Sequence, residues 1–267
     1  MHPVDIDGHS IEVRTIPGDA SLATLVFLHE GLGSVALWRD FPDKVSRQLR
    51  APAVIYSRVG YGQSSGLCGP RSPDFMHREA LDVLPKLLDR LGITRPLLIG
   101  HSDGASIAII HAASSGREVA GAVLMAPHVL VEPVCTEAIG RALATYQRGD
   151  LRQRLARYHR DVDDAFLGWA RIWLSPTFKD WSLRSECGHL AVPLLLIQGR
   201  QDEYGSLLQL DVIEDEVRRG GVAAGRPVPE IQRVELDDCR HSPHRDQEAR
   251  VIAEIAKWSA GLRQRTT

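Results

Sequence analysis

The sequence predicts an α/β protein with a mostly parallel central sheet, flanked by helices and carrying a helical insertion. Three observations lead there. Short β-branched apolar runs alternate with longer amphipathic ones, the sign of βα units. Most of the strand-like runs are continuously apolar, as expected of strands covered on both faces. Between about His128 and Gly188 the strand-like runs cease.

The elements follow in order. Ser10–Ile16 alternates apolar with polar residues and reads as an edge strand. Ala23–Leu28, Ala53–Tyr56, Leu97–Ile99, Ala122–Met125 and Leu194–Ile197 read as buried strands, and Ile231–Leu236 as a weaker one. Pro73–Leu91 carries Leu81, Leu84, Leu87, Leu88 and Leu91 at helical spacing, and Gly92 stands where a helix end wants glycine. Ser102–Ala113, Leu207–Arg219 and Gln247–Leu262 are the other clear helices. Three of the five Trp (Trp169, Trp173, Trp181) fall in the strandless stretch, and Phe166, Trp169 and Trp173 share one helical face.

Bulk properties exclude several classes. With 267 residues, 43% hydrophobic and 25% charged, the chain has the size and balance of a globular protein with a sizeable core. The net charge is −2 and no basic run marks a nucleic-acid partner. No apolar stretch approaches the ~20 residues of a membrane helix, and the start, Met1-His-Pro-Val-Asp-Ile-Asp-Gly8, has no export pattern. The expectation is a cytoplasmic protein, a monomer or small homo-oligomer. Cys68, Cys135, Cys187 and Cys239 lie far apart without metal spacing, so reduced thiols and no metal site are expected.

The chemistry gathers at one short stretch. The run Leu97-Leu-Ile ends in Gly100-His-Ser-Asp-Gly104 and passes at once into a small-residue helical pattern. In that strand–turn–helix context G-x-S-x-G becomes a nucleophile elbow, which lifts Ser102 out of a tight bend. The pattern occurs twice. Gly62-Gln-Ser-Ser-Gly66 also fits, but the prolines that follow bar an immediate helix, so Ser64 reads as a turn serine.

Serine attacks a carbonyl at neutral pH only when a neighbouring base takes its proton. The elbow therefore calls for a later carboxylate and then a histidine. Asp202 lies three residues beyond Gly199, after one strand, and His241 follows the strand ending at Leu236. Ser102, Asp202 and His241 would each stand at the carboxyl end of a parallel strand, where ligands collect in open α/β sheets. Glu203 is the alternative carboxylate. His244 is the alternative base, although it follows Pro243 at the start of the last helix. An oxyanion hole needs two backbone N–H groups. Asp103 supplies one; Gly31, in the first strand–helix loop, supplies the other, with Leu32 as runner-up. His29 precedes the elbow and reads as a brace for that loop. Asp103 places a carboxylate beside the oxyanion position. Its side chain either points away and serves as N-terminal helix charge, or is paired by a cation such as Arg58.

At these residues the chain resembles the α/β-hydrolase superfamily, and within it the lid-bearing serine hydrolases of small esters, lactones and related carbonyl compounds. Leu28-His-Glu-Gly-Leu-Gly-Ser34 looks like the family's His-Gly oxyanion loop, with Glu30 replacing the usual glycine. Tyr56-Ser-Arg-Val-Gly-Tyr-Gly-Gln-Ser64 is similar to its D-x-x-G-x-G-x-S turn, with Ser57 where aspartate is commoner. The resemblance implies a hydrolase core over residues 1–127 and 189–267, with a helical cap over 128–188 inserted after the sixth strand. It implies a hydrolase of carboxylic esters, working through an acyl-serine without metal or organic cofactor. The cap aromatics point to a small-molecule substrate with an apolar or aromatic group. Leu32, Trp38, Leu130, Phe166, Trp169 and Trp173 are the candidate pocket residues. The rival readings on this fold are a carbon–carbon bond hydrolase of ring-cleavage diketones and a receptor that binds a small molecule without turnover.

Overall fold

The computed structural model describes residues 2–264. Among them the strands are β1 (His2–Ile6), β2 (His9–Ile16), β3 (Leu25–Leu28), β4 (Ala53–Tyr56), β5 (Leu97–His101), β6 (Gly121–Met125), β7 (Leu194–Gly199) and β8 (Ile231–Leu236). They form one sheet in the order β1-β2-β4-β3-β5-β6-β7-β8. The pairs from β4 through β8 are parallel, and β1 and β2 are antiparallel.

The sequence reading placed Ser10–Ile16 at the sheet edge. In the structure β1 lies outside β2, joined to it through the two-residue turn Asp7-Gly8, whose φ values are 52° and 83°. An Asp-Gly pair with both φ positive is a tight hairpin turn that suits the sheet twist. β1 left little apolar signal because only Ile6 of its five residues is buried.

The continuously apolar strands are apolar because both faces are covered. Successive side chains point to opposite sides. Leu25 and Phe27 of β3 join one cluster with Ile99, Val123 and Ile197. Val26 and Leu28 join the other with Leu98, Leu124 and Leu196. Helices α1 (Phe41–Leu49) and, at the chain's end, Glu248–Gln264 close the first cluster through Phe41, Val45, Val251 and Trp258.

The helix expected over Pro73–Leu91 is broken into α2 (Phe75–Arg78), a π turn (Glu79–Val83) and α3 (Leu84–Arg90). The π turn stands just before Pro85, which has no N–H to donate to the carbonyl four residues back. Gly92 ends it with φ 66°. Helix α4 (Asp103–Ser114) is buried from Asp103 through His111, wedged between the sheet and its neighbours.

Between β6 and β7 come α5 (Pro133–Arg148), α6 (Leu151–Leu155), α7 (Val162–Trp173) and α8 (Arg184–His189). Beyond β7 and β8 lie α9 (Leu208–Ala223), α10 (Pro243–Asp246) and α11 (Glu248–Gln264). Helices α5 to α7 stand over the carboxyl edge of the sheet. α8 instead packs on α4 and α9 beside the sheet.

The α8–α9 crossing rests on two glycines. A Cβ on Gly220 would stand 1.9 Å from the Gly188 carbonyl oxygen. Glycine to alanine in a helix interior ordinarily stabilises by about 0.5–1 kcal/mol. Here backbone must move, so Gly220→Ala is expected to destabilise by about 1–3 kcal/mol. A lower urea midpoint at unchanged slope is the expected readout; a midpoint equal to or above that of the native protein would refute the packing argument.

Candidate active site

Ser102 stands between the last residue of β5 and the first of α4, at φ 52° and ψ −121°. That is a strained conformation for a residue with a Cβ, and packing holds it. The Ser102 N–H donates to the Met125 carbonyl at 3.0 Å, and its own carbonyl accepts from Ala105 and Ser106. The flanking glycines are required by contact. A Cβ on Gly104 would lie 2.0 Å from the Leu28 carbonyl oxygen, and one on Gly100 would lie 2.4 Å from the Gly104 carbonyl oxygen.

His241 reaches Ser102 from the loop after β8, with Nε2 3.0 Å from Oγ. Its Nδ1 lies 2.8 Å from Asp202 Oδ1 and 3.0 Å from Oδ2. Asp202 is held in turn by the backbone N–H groups of Tyr204 and Gly205 and by the Gln198 amide. Burial by itself would push the His241 pKa down, but the Asp202 charge and hydrogen bond overcome it and hold the pKa raised. Burial likewise opposes the charge on Asp202, yet His241 and the Tyr204 N–H keep its pKa below the ordinary value.

The alternatives sit elsewhere. Glu203 accepts from the His241 backbone N–H and pairs with Arg240, while Asp202 holds the His241 Nδ1. The His244 ring is buried against Trp38 and His101, with centroids 4.8 Å and 4.7 Å away. Ser64 is a turn serine, its hydroxyl donating to the Ser57 carbonyl and accepting from the Glu12 N–H.

Gly31, Leu32 and Asp103 line a cavity of about 240 Å³ that contains Ser102 and His241. Asp103 is the first residue of α4, so its N–H has no acceptor within the helix. Gly31 has no room for a side chain, since a Cβ would meet Trp169 Nε1 at 2.2 Å. His29 braces this loop, its Nε2 accepting from the Arg58 N–H and its Nδ1 bonding the Glu30 carbonyl. The Arg58 guanidinium donates to the carbonyls of His29 and Glu30. Ser57, where aspartate is commoner, borrows a carboxylate: its Oγ donates to Glu12 Oε2, which also accepts the Gln63 N–H. Of the two arrangements open for Asp103, the structure has the paired one. Its carboxylate faces Arg58 at 3.9 Å, both side chains being buried.

Trp169 and Trp173 line the cavity, while three other candidates do not. Phe166 is fully buried and stacked on Tyr146 at 3.9 Å, because its position on α7 faces α5. Trp38 packs between Phe27, Phe41 and His244 beneath the site. Leu130 is tied into a bridge with Ser182, its backbone bonded by the Gln209 amide. Residues the sequence reading missed include His128, Cys135, Tyr204 and Arg245, all on the cavity wall. His101, the residue before Ser102, donates from Nε2 to the His241 carbonyl at 2.7 Å. The motif itself could have flagged that position. The cavity positions of Tyr204 and Arg245 had no local sign.

A larger hollow of about 620 Å³ is lined by Leu25, Leu97, Val119 and Pro193. These residues stand at or just before the starts of β3, β5, β6 and β7, at the sheet edge opposite Ser102. Among the described residues no group of three or more His, Cys, Asp or Glu is placed to hold a metal ion. No described helix is long and apolar enough to cross a membrane.

The chain matches the profile of the alpha/beta hydrolase family over residues 25–254. It is 29% identical over 126 residues to the chloroplastic protein PHYLLO of Arabidopsis thaliana, a stretch covering 46% of this chain and only 7% of that protein. Three solved structures superpose over nearly the whole chain. One is MGS-M2, an alpha/beta hydrolase from a Medee basin deep-sea metagenome library, at TM-score 0.74 and 17% identity, covering 97% of each chain. Another is the enol-lactonase of Burkholderia xenovorans LB400, at TM-score 0.71 and 17% identity, covering 97% of this chain and 99% of that one. The third is a thermophilic esterase of Thermogutta terrifontis, at TM-score 0.67 and 18% identity, covering 97% of each chain. At such identities the likeness is one of fold. Since the profile match takes in most of the chain, the protein belongs to the alpha/beta hydrolase family.

Proposed function

We propose that this protein is a serine hydrolase that cleaves a small carboxylic ester carrying an apolar or aromatic group, through an acyl-Ser102 intermediate. One observation carries the reading: Ser102 Oγ, the His241 ring and the Asp202 carboxylate stand in line, at 3.0 Å and 2.8 Å, on the wall of one cavity.

Ser102 Oγ attacks the ester carbonyl while His241 Nε2 takes its proton. Asp202 holds the ring with Nδ1 protonated and stabilises the imidazolium. The backbone N–H groups of Asp103 and Gly31 face the developing oxyanion, each contributing about 2.7–4 kcal/mol to the barrier reduction. Collapse expels the alcohol, which takes the proton from His241. Water then attacks the acyl group, its proton passing to His241, and the acid leaves as Ser102 regains its hydrogen. Esterase and lactonase structures among the fold neighbours support the reaction class. Trp169 and Trp173 support the apolar or aromatic substrate group.

Ser102→Ala is expected to lower kcat on p-nitrophenyl butyrate by at least about a thousandfold, while the folded signal stays intact. A fluorophosphonate probe should add to Ser102 in the native protein; an adduct on Ser64 would sink the assignment.

The base works only when neutral. Because the His241 pKa is raised, kcat/KM should fall as pH drops through a midpoint above 6.5, and be full on the alkaline side. Asp202→Asn removes the charge that raises it, so the midpoint should shift towards acid and kcat drop by about 10⁴. A pH–rate profile that does not move in the variant would contradict this coupling.

A further inference from the structure

We propose that the cavity beside Ser102 binds a hydroxyl group of the substrate, held between the Asp103 carboxylate and the Trp173 indole N–H. This rests on the ester-hydrolase reading and narrows its substrate class to hydroxy esters with an apolar or aromatic body.

Asp103 is 1% exposed and lines the cavity, yet neither carboxylate oxygen has a hydrogen-bond partner among the described residues. Arg58 opposes its charge at 3.9 Å, beyond hydrogen-bond reach. Trp173 Nε1, also buried and on the same cavity, has no acceptor among them either. The two are neighbours: burial pushes the Asp103 pKa up, and Arg58, Arg71 and the nearby indole N–H of Trp173 pull against that rise. The indole is not free to swing. Its ring is packed edge-on against His128, Phe178 and Trp181, at centroid distances of 5.1 Å, 5.1 Å and 5.8 Å.

Buried polar groups without partners are costly, and a site built with them discriminates by what completes them. A hydroxyl completes both: its O–H donates to Asp103 and its oxygen accepts from Trp173. A carboxylate would meet Asp103 as a like charge. An ammonium has no lone pair for the indole, and would add a cation beside Arg58 and the imidazolium formed in turnover. An alkyl group leaves both atoms unpaired. His128 Nδ1 is a third buried atom on this wall without a partner, and burial pushes the ring's pKa down to about 3, so it stays neutral.

The test compares substrates in which hydroxyl replaces methyl. The pairs are methyl mandelate against methyl 2-phenylpropanoate, and methyl 3-hydroxy-3-phenylpropanoate against methyl 3-phenylbutanoate. Methyl phenylglycinate serves as the amino counterpart. Turnover is read by acid release in a pH-stat. Binding is read by calorimetry on Ser102→Ala, where no turnover is needed. One hydroxy ester of the two should exceed its methyl partner by about tenfold or more in both kcat/KM and affinity. That ratio should collapse to within about threefold in Trp173→Phe, which removes the N–H donor together with part of the ring for hydroxy and methyl substrates alike, and shrink in Asp103→Asn. Equal ratios in the native protein, a ratio that survives both substitutions, or preference for the amino ester would each overturn the hydroxyl site. Selective binding to Ser102→Ala with no turnover of any ester by the native protein would leave the hydroxyl site standing and reject the hydrolase reading. Turnover without hydroxyl preference would do the reverse, and neither binding nor turnover would reject both.

Discussion

The close passage of three backbone segments at Ser102 is the constraint on which the site depends. β3 and β5 lie side by side, and α4 starts so near them that Gly104 has its Cα against the Leu28 carbonyl. That contact sets where α4 begins. It brings Asp103 to the same cavity as the loop that follows Leu28, which carries Gly31. It also forces Ser102 into a positive φ that its surroundings over-determine through the bonds at its N–H and carbonyl. A larger residue at either glycine would strike backbone and not a flexible side chain, so the strain cannot relax locally.

Charge around Ser102 is arranged so that one histidine differs from its neighbours. His29, His128 and His244 are buried, and desolvation pushes their pKa values down. Only His241 among these has a carboxylate on its ring nitrogen, and its pKa moves the other way. Arg58 serves two parts of the site at once. It donates to the carbonyls of the loop after β3 and opposes the charge on Asp103. Ser57 keeps the following turn in place with the help of Glu12 from β2, so a departure in one residue is offset by a carboxylate from a distant strand.

The helices over the carboxyl edge are pinned at several points. His159 accepts the Gly62 N–H at Nδ1 and bonds the Leu32 carbonyl through Nε2, while Arg160 donates its backbone N–H to the Gly62 carbonyl. Asp164 accepts the Leu67 N–H. These bonds couple α7 and the segment before it to both the loop after β3 and the glycine turn, which sets the depth at which Trp169 and Trp173 meet the cavity.

By itself the sequence determined the alternation of strands and helices, the elbow, and the loops that carry Asp202 and His241. These are written in local signals: apolar runs, glycine spacing and the order of residues after strands. The first hairpin was missed because an exposed edge strand leaves almost no apolar trace, although Asp7-Gly8 marked its turn. Tertiary structure decided which face of each aromatic meets the cavity. Phe166, Trp169 and Trp173 share a helical stripe, but α5 takes the first and the cavity takes the others, and no spacing along α7 distinguishes them. It decided, too, that Asp103 meets Arg58, a partner 45 residues away in the chain, and that its oxygens have no hydrogen bond of good geometry among the described residues. Burial and pairing across strands depend on how the sheet stacks its loops at one edge, and that arrangement exists only once the chain has folded.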